Sequence, residues 1–200
     1  RARLRAEEDN VQPVPALGRA RHVAAHLRPA CRGRGRAWQT LHRQQLYQGP
    51  PHCRRRKRGA LAHGIGVTKG GRNTKLHAVC DEKGRPHVLL LTPGNTHDAK
   101  VAIQTINAVP PSQYLVADKG YDSNALRSWL IERGTTPVIP SKSNRKVQIE
   151  HDRQIYRQRN VVERMFCRFK DWRRVATRFD RNIKTFMATI AIAAFVTWWI

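Results

Sequence analysis

The sequence predicts a mixed α/β domain preceded by a basic segment with no regular structure. Three observations carry this expectation. Strand-like and helix-like stretches alternate beyond Ala60. Leu, Ile, Val and Phe make up 8 of the first 60 residues but 36 of the last 140. Positive charge does not follow that division: 15 basic and 3 acidic residues precede Leu61, and 23 and 11 follow. High charge with little apolar content leaves too little buried surface to offset the entropy of ordering a chain. Runs such as Arg32-Gly33-Arg34-Gly35-Arg36 and Arg54-Arg55-Arg56-Lys57-Arg58 follow neither a 3.6- nor a 2-residue period. Residues 1–58 are therefore expected to be disordered, and residues 59–200 to fold.

The elements follow in order. Lys75 to Cys80 alternates as a strand does, Asp81 to Pro86 is a turn, and His87 to Thr92 is a second strand, so the pair reads as a hairpin. Pro93-Gly94-Asn95 breaks the pattern, and Thr96 or Asp98 can cap a helix reaching about Asn107. Tyr114 to Ala117 is a short buried-type strand that closes on the carboxylate of Asp118. Asp122-Ser123 is the expected cap of a helix from Asn124 to Arg133, stopped by Gly134. Pro137 to Ile139 reads as another strand, followed by a polar loop from Ser141 to Lys146. One long helix is expected from about Asp152 to Arg174, and another from about Asn182 onward. The apolar run Ile183 to Ile200 is at the lower limit for a membrane span and carries Lys184, so it is read as a core-packing helix.

The formal net charge of +24 at pH 7 points to a polyanionic partner, nucleic acid first. The 14 acidic residues are too few for a calcium-buffering protein. Cys31, Cys53, Cys80 and Cys167 stand apart with no C-x-x-C pair, which argues against a zinc knuckle or disulfide framework and suits a reducing compartment. The sequence opens on Arg1 without methionine or an apolar leader, so a native start is not expected there.

On a continuous helix, Tyr156, Arg159, Glu163 and Lys170 share one stripe within about 60° and roughly 21 Å long, while Val161, Met165, Phe169 and Trp172 cluster opposite. A solvated face with an Arg159–Glu163 pair at i,i+4 accounts for this pattern. Asp118 adds a second acid at the carboxyl end of a strand, where α/β sheets gather their ligand sites. Two such carboxylates can hold Mg²⁺ through oxygen, and a paired-ion site suits phosphoryl transfer. A turn-forming Asp118 is the plainer alternative. Lys142, Arg145 and Lys146 are candidate contacts to DNA backbone, or simply a solvated loop. His97 and Asp98 are read as a helix start rather than ligands, Asp122 as an N-cap only, and His63 and His77 as surface or hydrogen-bonded histidines.

The spacing Tyr156-x2-Arg159-x3-Glu163-x6-Lys170, preceded by Ala117-Asp118-Lys119-Gly120-Tyr121-Asp122, resembles the DDE transposases of bacterial insertion sequences. Thr68 to His77, Gly94 to Asp98 and Ile139 to Lys146 look like further blocks of that family in the expected order, so the resemblance covers about residues 59–200. It implies a ribonuclease-H-like catalytic domain, with Asp118 and Glu163 as the second and third acids of a metal-binding triad. Tyr156, Arg159 and Lys170 would then orient Glu163 and grip phosphates at the transposon end. The implied cofactor is Mg²⁺, two ions, with Mn²⁺ as a substitute. The implied partner is double-stranded DNA bearing terminal inverted repeats, in the bacterial cytoplasm and at the nucleoid. No membrane association is expected, and self-association is left open. A non-catalytic basic DNA-binding protein and a nuclease or resolvase of the same fold are the competing readings.

The family's first acid belongs on a strand before the Gly70-Gly71 block, and nothing in residues 10–80 matches it. Read one nucleotide later, however, the codons of Arg43 to Pro51 permit Asp-Ser-Asn-Tyr-Ile-Lys-Ala-His-Arg, about 75 residues before Asp118. Residues 1 to about 56 are accordingly expected to be an out-of-frame translation, with the frame resuming near Lys57. The sheet would then lack its first strand and one metal ligand. The edge beside the Leu76 hairpin would lie bare, and the chain would not cleave DNA.

Overall fold

The computed structural model describes residues 23–26, 38–46, 64–69, 71–180 and 182–200, the first two segments as backbone strands. Its strands are β1 (Val23–His26), β2 (Trp38–Leu46), β3 (Gly66–Thr68), β4 (Gly71–Cys80), β5 (Pro86–Pro93), β6 (Tyr114–Ala117) and β7 (Thr136–Val138). The helices are α1 (Asp98–Asn107), α2 (Asn124–Glu132), α3 (Arg153–Arg157), α4 (Asn160–Asp171), α5 (Arg173–Ala176) and α6 (Ile183–Trp199), with a 3₁₀ turn at Lys119–Tyr121. The sheet runs β1-β5-β4-β2-β6-β7, with β3 paired to β4. β1, β5, β4 and β2 are mutually antiparallel neighbours, whereas β2, β6 and β7 run parallel. The result is the mixed α/β sheet that the alternation of elements predicts.

Two apolar layers cover the sheet. On one face Leu76, Ala78, Cys80, Leu89 and Leu91 meet α4, α5 and α6 through Phe166, Phe169, Val175, Phe186 and Ile190. On the other, Val79, Val88, Leu115 and Ala117 meet α1 and α2 through Ala102, Ile106, Leu126 and Leu130. The two-residue period of a strand sends Leu76 and Val79 to opposite sides, so β4 is covered on both faces. His77 is fully buried between Tyr121 and Thr92, 3.3 Å from the Tyr121 hydroxyl and 2.9 Å from Thr92 Oγ1. It is the hydrogen-bonded histidine of the two alternatives, not a surface one. His63 lies outside the described residues.

The β4–β5 hairpin turns at Asp81, whose carboxylate accepts from the backbone N–H groups of Lys83 and Arg85 at 3.0 and 2.9 Å. Gly84 takes φ +78°, the left-handed conformation that the tight turn requires and L residues avoid. Burial works against ionising Asp81, but hydrogen bonds from His87 and Arg85 and the Arg85 charge outweigh it and lower its pKa to about 2.

Four expectations need correction. The segment read as disordered contributes β1 and β2, and β2 pairs with β4 over seven positions, Thr40 to Leu46. The rest of residues 1–58 lies outside the described residues. Because β2 and β5 flank β4, and β1 flanks β5, the Leu76 hairpin does not present the bare edge expected of it. Backbone pairing needs little side-chain patterning, which is why composition missed these strands. The helix expected from Asp152 to Arg174 is three pieces. It tightens at Gln158-Arg159, where N–H groups of Arg159, Val161 and Val162 bond three residues back, and breaks again at Trp172, with ψ 94°. Finally, α1 has His97 at its N-cap, not Thr96 or Asp98, and no side-chain capping bond.

α6 buries Ile183, Phe186, Met187, Ile190, Ala193 and Ala194 against the sheet and its neighbours, the core-packing role expected of it. Among the described residues, no helix is long and apolar enough to cross a membrane.

Candidate metal and DNA site

Asp118 stands where β6 ends. Leu115, Val116 and Ala117 are fully buried, which anchors the strand, and Tyr121 is fully buried one turn later. The Tyr121 N–H closes the 3₁₀ turn on the Asp118 carbonyl at 2.9 Å. Between these two anchors the Asp118 side chain keeps 27% of its surface open to solvent. Beneath the turn lies a buried ion pair, Lys75 Nζ to Asp98 Oδ1 at 3.1 Å. A β-carbon on Gly120 would stand 3.5 Å from Asp98 Oδ2. Asp98, expected only as a helix start, thus packs under the turn that carries Asp118.

Glu163 comes from the other side. Val161, Val162, Met165, Phe166 and Phe169 bury one face of α4, so Glu163 is turned outward with half its side chain exposed. Arg159, in the tight turn just before α4, joins the two acids. Its Nη1 lies 2.9 Å from Asp118 Oδ1 and its Nη2 lies 2.6 Å from Glu163 Oε1. The two carboxylates therefore sit within the span of one guanidinium. The expected i,i+4 pair is present, and the contact to Asp118 goes beyond it.

Tyr156, on α3, places its ring 5.8 Å from the Arg159 guanidinium carbon and meets the His151 ring edge-on at 5.2 Å. Burial lowers the tendency of Arg159 to hold its proton, but the Asp118, Tyr156 and Glu163 charges outweigh it and raise its pKa. The Tyr156 phenol is pushed up by burial first and by the Asp118 and Glu163 charges, against the Arg159 charge. Lys170 is exposed on α4, about 10.5 Å of helix rise beyond Glu163. Tyr156, Arg159 and Glu163 thus meet around Asp118, while Lys170 stands two turns away.

The loop residues separate into two kinds. Asp122 does not cap α2. Ser123 holds the N-cap position, and the Asp122 side chain is 1% exposed at the centre of a hub. Its Oδ1 accepts from Arg127 Nε and Arg145 Nη1, each at 2.9 Å, and its Oδ2 from the Lys142 backbone N–H at 2.9 Å. Burial opposes ionisation there, but the Lys142, Arg127 and Arg145 hydrogen bonds outweigh it and hold the carboxyl below its ordinary range. Arg145 also donates to Asn124 Oδ1. Ser141 and Ile149 close the loop on each other at 2.9 and 3.1 Å. Arg145 is therefore a strut of the loop, while Lys142 is partly exposed and Lys146 exposed. A capping reading of Asp122 overlooked the hub because Arg127 and Arg145 reach it through tertiary packing, with no periodic signal to mark them.

Among the described residues, no group of three His, Cys, Asp or Glu side chains converges. What converges is two carboxylates and one guanidinium.

Proteins similar to this chain are assigned as transposases of insertion sequences. The protein assigned as transposase of insertion sequence element IS6501 in Brucella ovis is 29% identical over 126 residues, 62% of this chain and 97% of that protein. The one assigned to element IS402 in Burkholderia cepacia is 31% identical over 137 residues, and this chain spans 63% of its length. The transposase for element IS1106 of Neisseria meningitidis serogroup B is 32% identical over 97 residues, 34% of that protein. No solved structure matches the chain. Residues 48–196 match the family described as the transposase DDE domain, and this insertion-sequence DDE transposase family is the one to which the chain belongs.

Proposed function

We propose that the chain derives from an enzyme of DNA transposition, with metal-dependent cleavage and strand transfer at insertion-sequence ends. In this reading Asp118 and Glu163 are the metal ligands. The observation that carries it is the single Arg159 guanidinium reaching both acids, which come from a strand end and a helix 45 residues apart. The donor set suits Mg²⁺ or Mn²⁺: both groups are carboxylates, both reach solvent, and both already face one cationic group. When bound, a pair of such ions activates the attacking oxygen and stabilises the leaving one. The chain's own part is to hold the two acids close together, with Tyr156 and Arg159 orienting Glu163. Lys170, Lys142 and Lys146 would grip backbone phosphates, which positions DNA without reading its sequence.

A ribonuclease-H-like architecture is supported by the mixed sheet with helices on both faces. The catalytic unit then includes β2, which joins the antiparallel strands to the parallel ones. The proposed catalytic domain, residues 59–200, overlaps most of the family match over residues 48–196. Double-stranded DNA with terminal inverted repeats is the proposed substrate, and the bacterial cytoplasm, at the nucleoid, the proposed location.

The frame reading bears on activity. In β2, Leu41 pairs with Ala117 and Arg43 with His77, so position 43 lies two residues past the level of Ala117, beside the strand end that carries Asp118. Arg43 is where the shifted frame permits Asp. Without the family's first acid the site is one carboxylate short, and the chain as given is proposed to be catalytically defective. The test is Mg²⁺-dependent nicking of a duplex ending in the element's repeats. This chain should not nick, and a protein translated one nucleotide later through codon 56 should. Nicking by the present chain that Asp118→Ala removes would overturn the defect. Failure of both proteins would count against the transposition reading.

The charge of +24 supports a second reading, DNA binding without catalysis. It predicts salt-dependent binding indifferent to Mg²⁺.

A further inference from the structure

Arg159 does more than join the two acids. Its guanidinium stands between them, with Nη1 in an ion pair with Asp118 and Nη2 donating to Glu163. The Tyr156 ring flanks it 5.8 Å away, yet 23% of the arginine side chain remains open to solvent. Two neighbouring carboxylates repel one another unless a counter-charge stands between them. A cation between them removes that penalty, and a guanidinium does so as a divalent ion would. Both cations cannot share the position, because like charges at contact distance repel strongly in a partly buried site.

We infer that Arg159 is a built-in stand-in for the metal, holding Asp118 and Glu163 together in the metal-free protein and yielding them when a divalent cation enters. The inference rests on the metal role proposed above. Displacement asks little of the backbone. Arg159 precedes the first residue of α4 and its long side chain has a solvent-facing route out, so the buried face of α4 need not move. The displaced guanidinium then needs a new acceptor, and a DNA phosphate is the group it matches best, through a two-pronged hydrogen bond. Metal and DNA should therefore each favour the binding of the other, a reciprocal coupling that runs through one side chain.

The test is Mn²⁺ binding to the whole chain, read by electron paramagnetic resonance and by titration calorimetry, with and without a short duplex. Without DNA, Arg159→Gln should bind Mn²⁺ about three- to tenfold more tightly than the unmodified chain, because the competing ion pairs are gone. Arg159→Lys, which keeps a charge but loses the planar fork, should fall between them. It also preserves the comparison if the Gln variant does not fold. Mn²⁺ should raise the melting temperature of Arg159→Gln more than that of the unmodified chain. Duplex DNA should tighten Mn²⁺ binding in the unmodified chain and do so less in Arg159→Gln. Equal or weaker Mn²⁺ binding by both variants overturns the inference while leaving the metal site standing. Absence of Mn²⁺ binding in all three proteins overturns the inference and the metal role together.

Discussion

Two carboxylate–guanidinium assemblies stand four residues apart in the sequence and behave as opposites. At Asp122 the carboxylate is 1% exposed, and its three donors, two arginines and a backbone N–H, come from inside the fold. At Asp118 and Glu163 the side chains are 27% and 50% exposed, and the guanidinium they share reaches one oxygen of each. The first arrangement is saturated by protein donors and can only hold structure. The second stays open to solvent, where a ligand can reach it. Burial and donor count, rather than residue type, separate a strut from a site.

The largest expected effect sharpens the open member of the pair. In the frame-restored protein, Asp118→Ala should abolish nicking. In the present chain, Glu163→Gln should weaken Mn²⁺ binding by more than the about 10–100-fold that loss of an outer hydrogen-bond partner brings. Unchanged calorimetric affinity would remove Glu163 from the site.

Next comes the saturated member. Asp122→Ala should destabilise the fold by about 3–5 kcal/mol, since it strands the buried Arg127 charge and frees the 141–149 loop. A denaturant midpoint close to that of the unmodified chain would break the contrast.

Asp81 offers an intermediate case, with its carboxylate 12% exposed and tied to Arg85 at 2.7 Å. Its folded pKa of about 2 lies below the ordinary 3.8. The stability it adds is therefore present above pH 4 and disappears as pH falls from about 4 to 2, on the order of 1–2 kcal/mol. Asp122 and Asp180 are shifted in the same direction. Melting temperature should drop through that window, and Asp81→Asn should flatten part of the drop. A flat profile in the unmodified chain would contradict the assignment.

The smallest effect divides the loop cations. Lys146→Ala should reduce the slope of log DNA affinity against log salt by about one, as for a single phosphate contact. Arg145→Ala should lower stability more than it lowers that slope, because its guanidinium already serves Asp122. Equal slope changes for both would dissolve the distinction between strut and contact.

Much of the fold was legible because local rules governed it. The hairpin around Asp81, the strand closing on Asp118, the helix stopped at Gly134 and the apolar face of α4 each announced themselves through turn residues or periodicity. The strand Trp38–Leu46 did not, since a strand between two partners draws on backbone hydrogen bonds that composition does not reveal. The break at Gln158-Arg159 was equally silent. No proline or glycine marks it, and nothing in the local pattern indicates that Arg159 will be drawn toward Asp118.

By itself the sequence determined the alternation of elements, the basic character of the chain, the order of its family blocks and the acids and bases worth examining. Those features depend on residue type and short-range spacing, which any linear reading preserves. Tertiary structure alone decided that one guanidinium would serve both Asp118 and Glu163, that Arg145 would turn inward to Asp122, and that the residues from Trp38 would complete the sheet. Each of these is a choice of partner across tens of residues. It is set by which surfaces the two apolar layers bring together, and by the cost of leaving a buried charge without its mate.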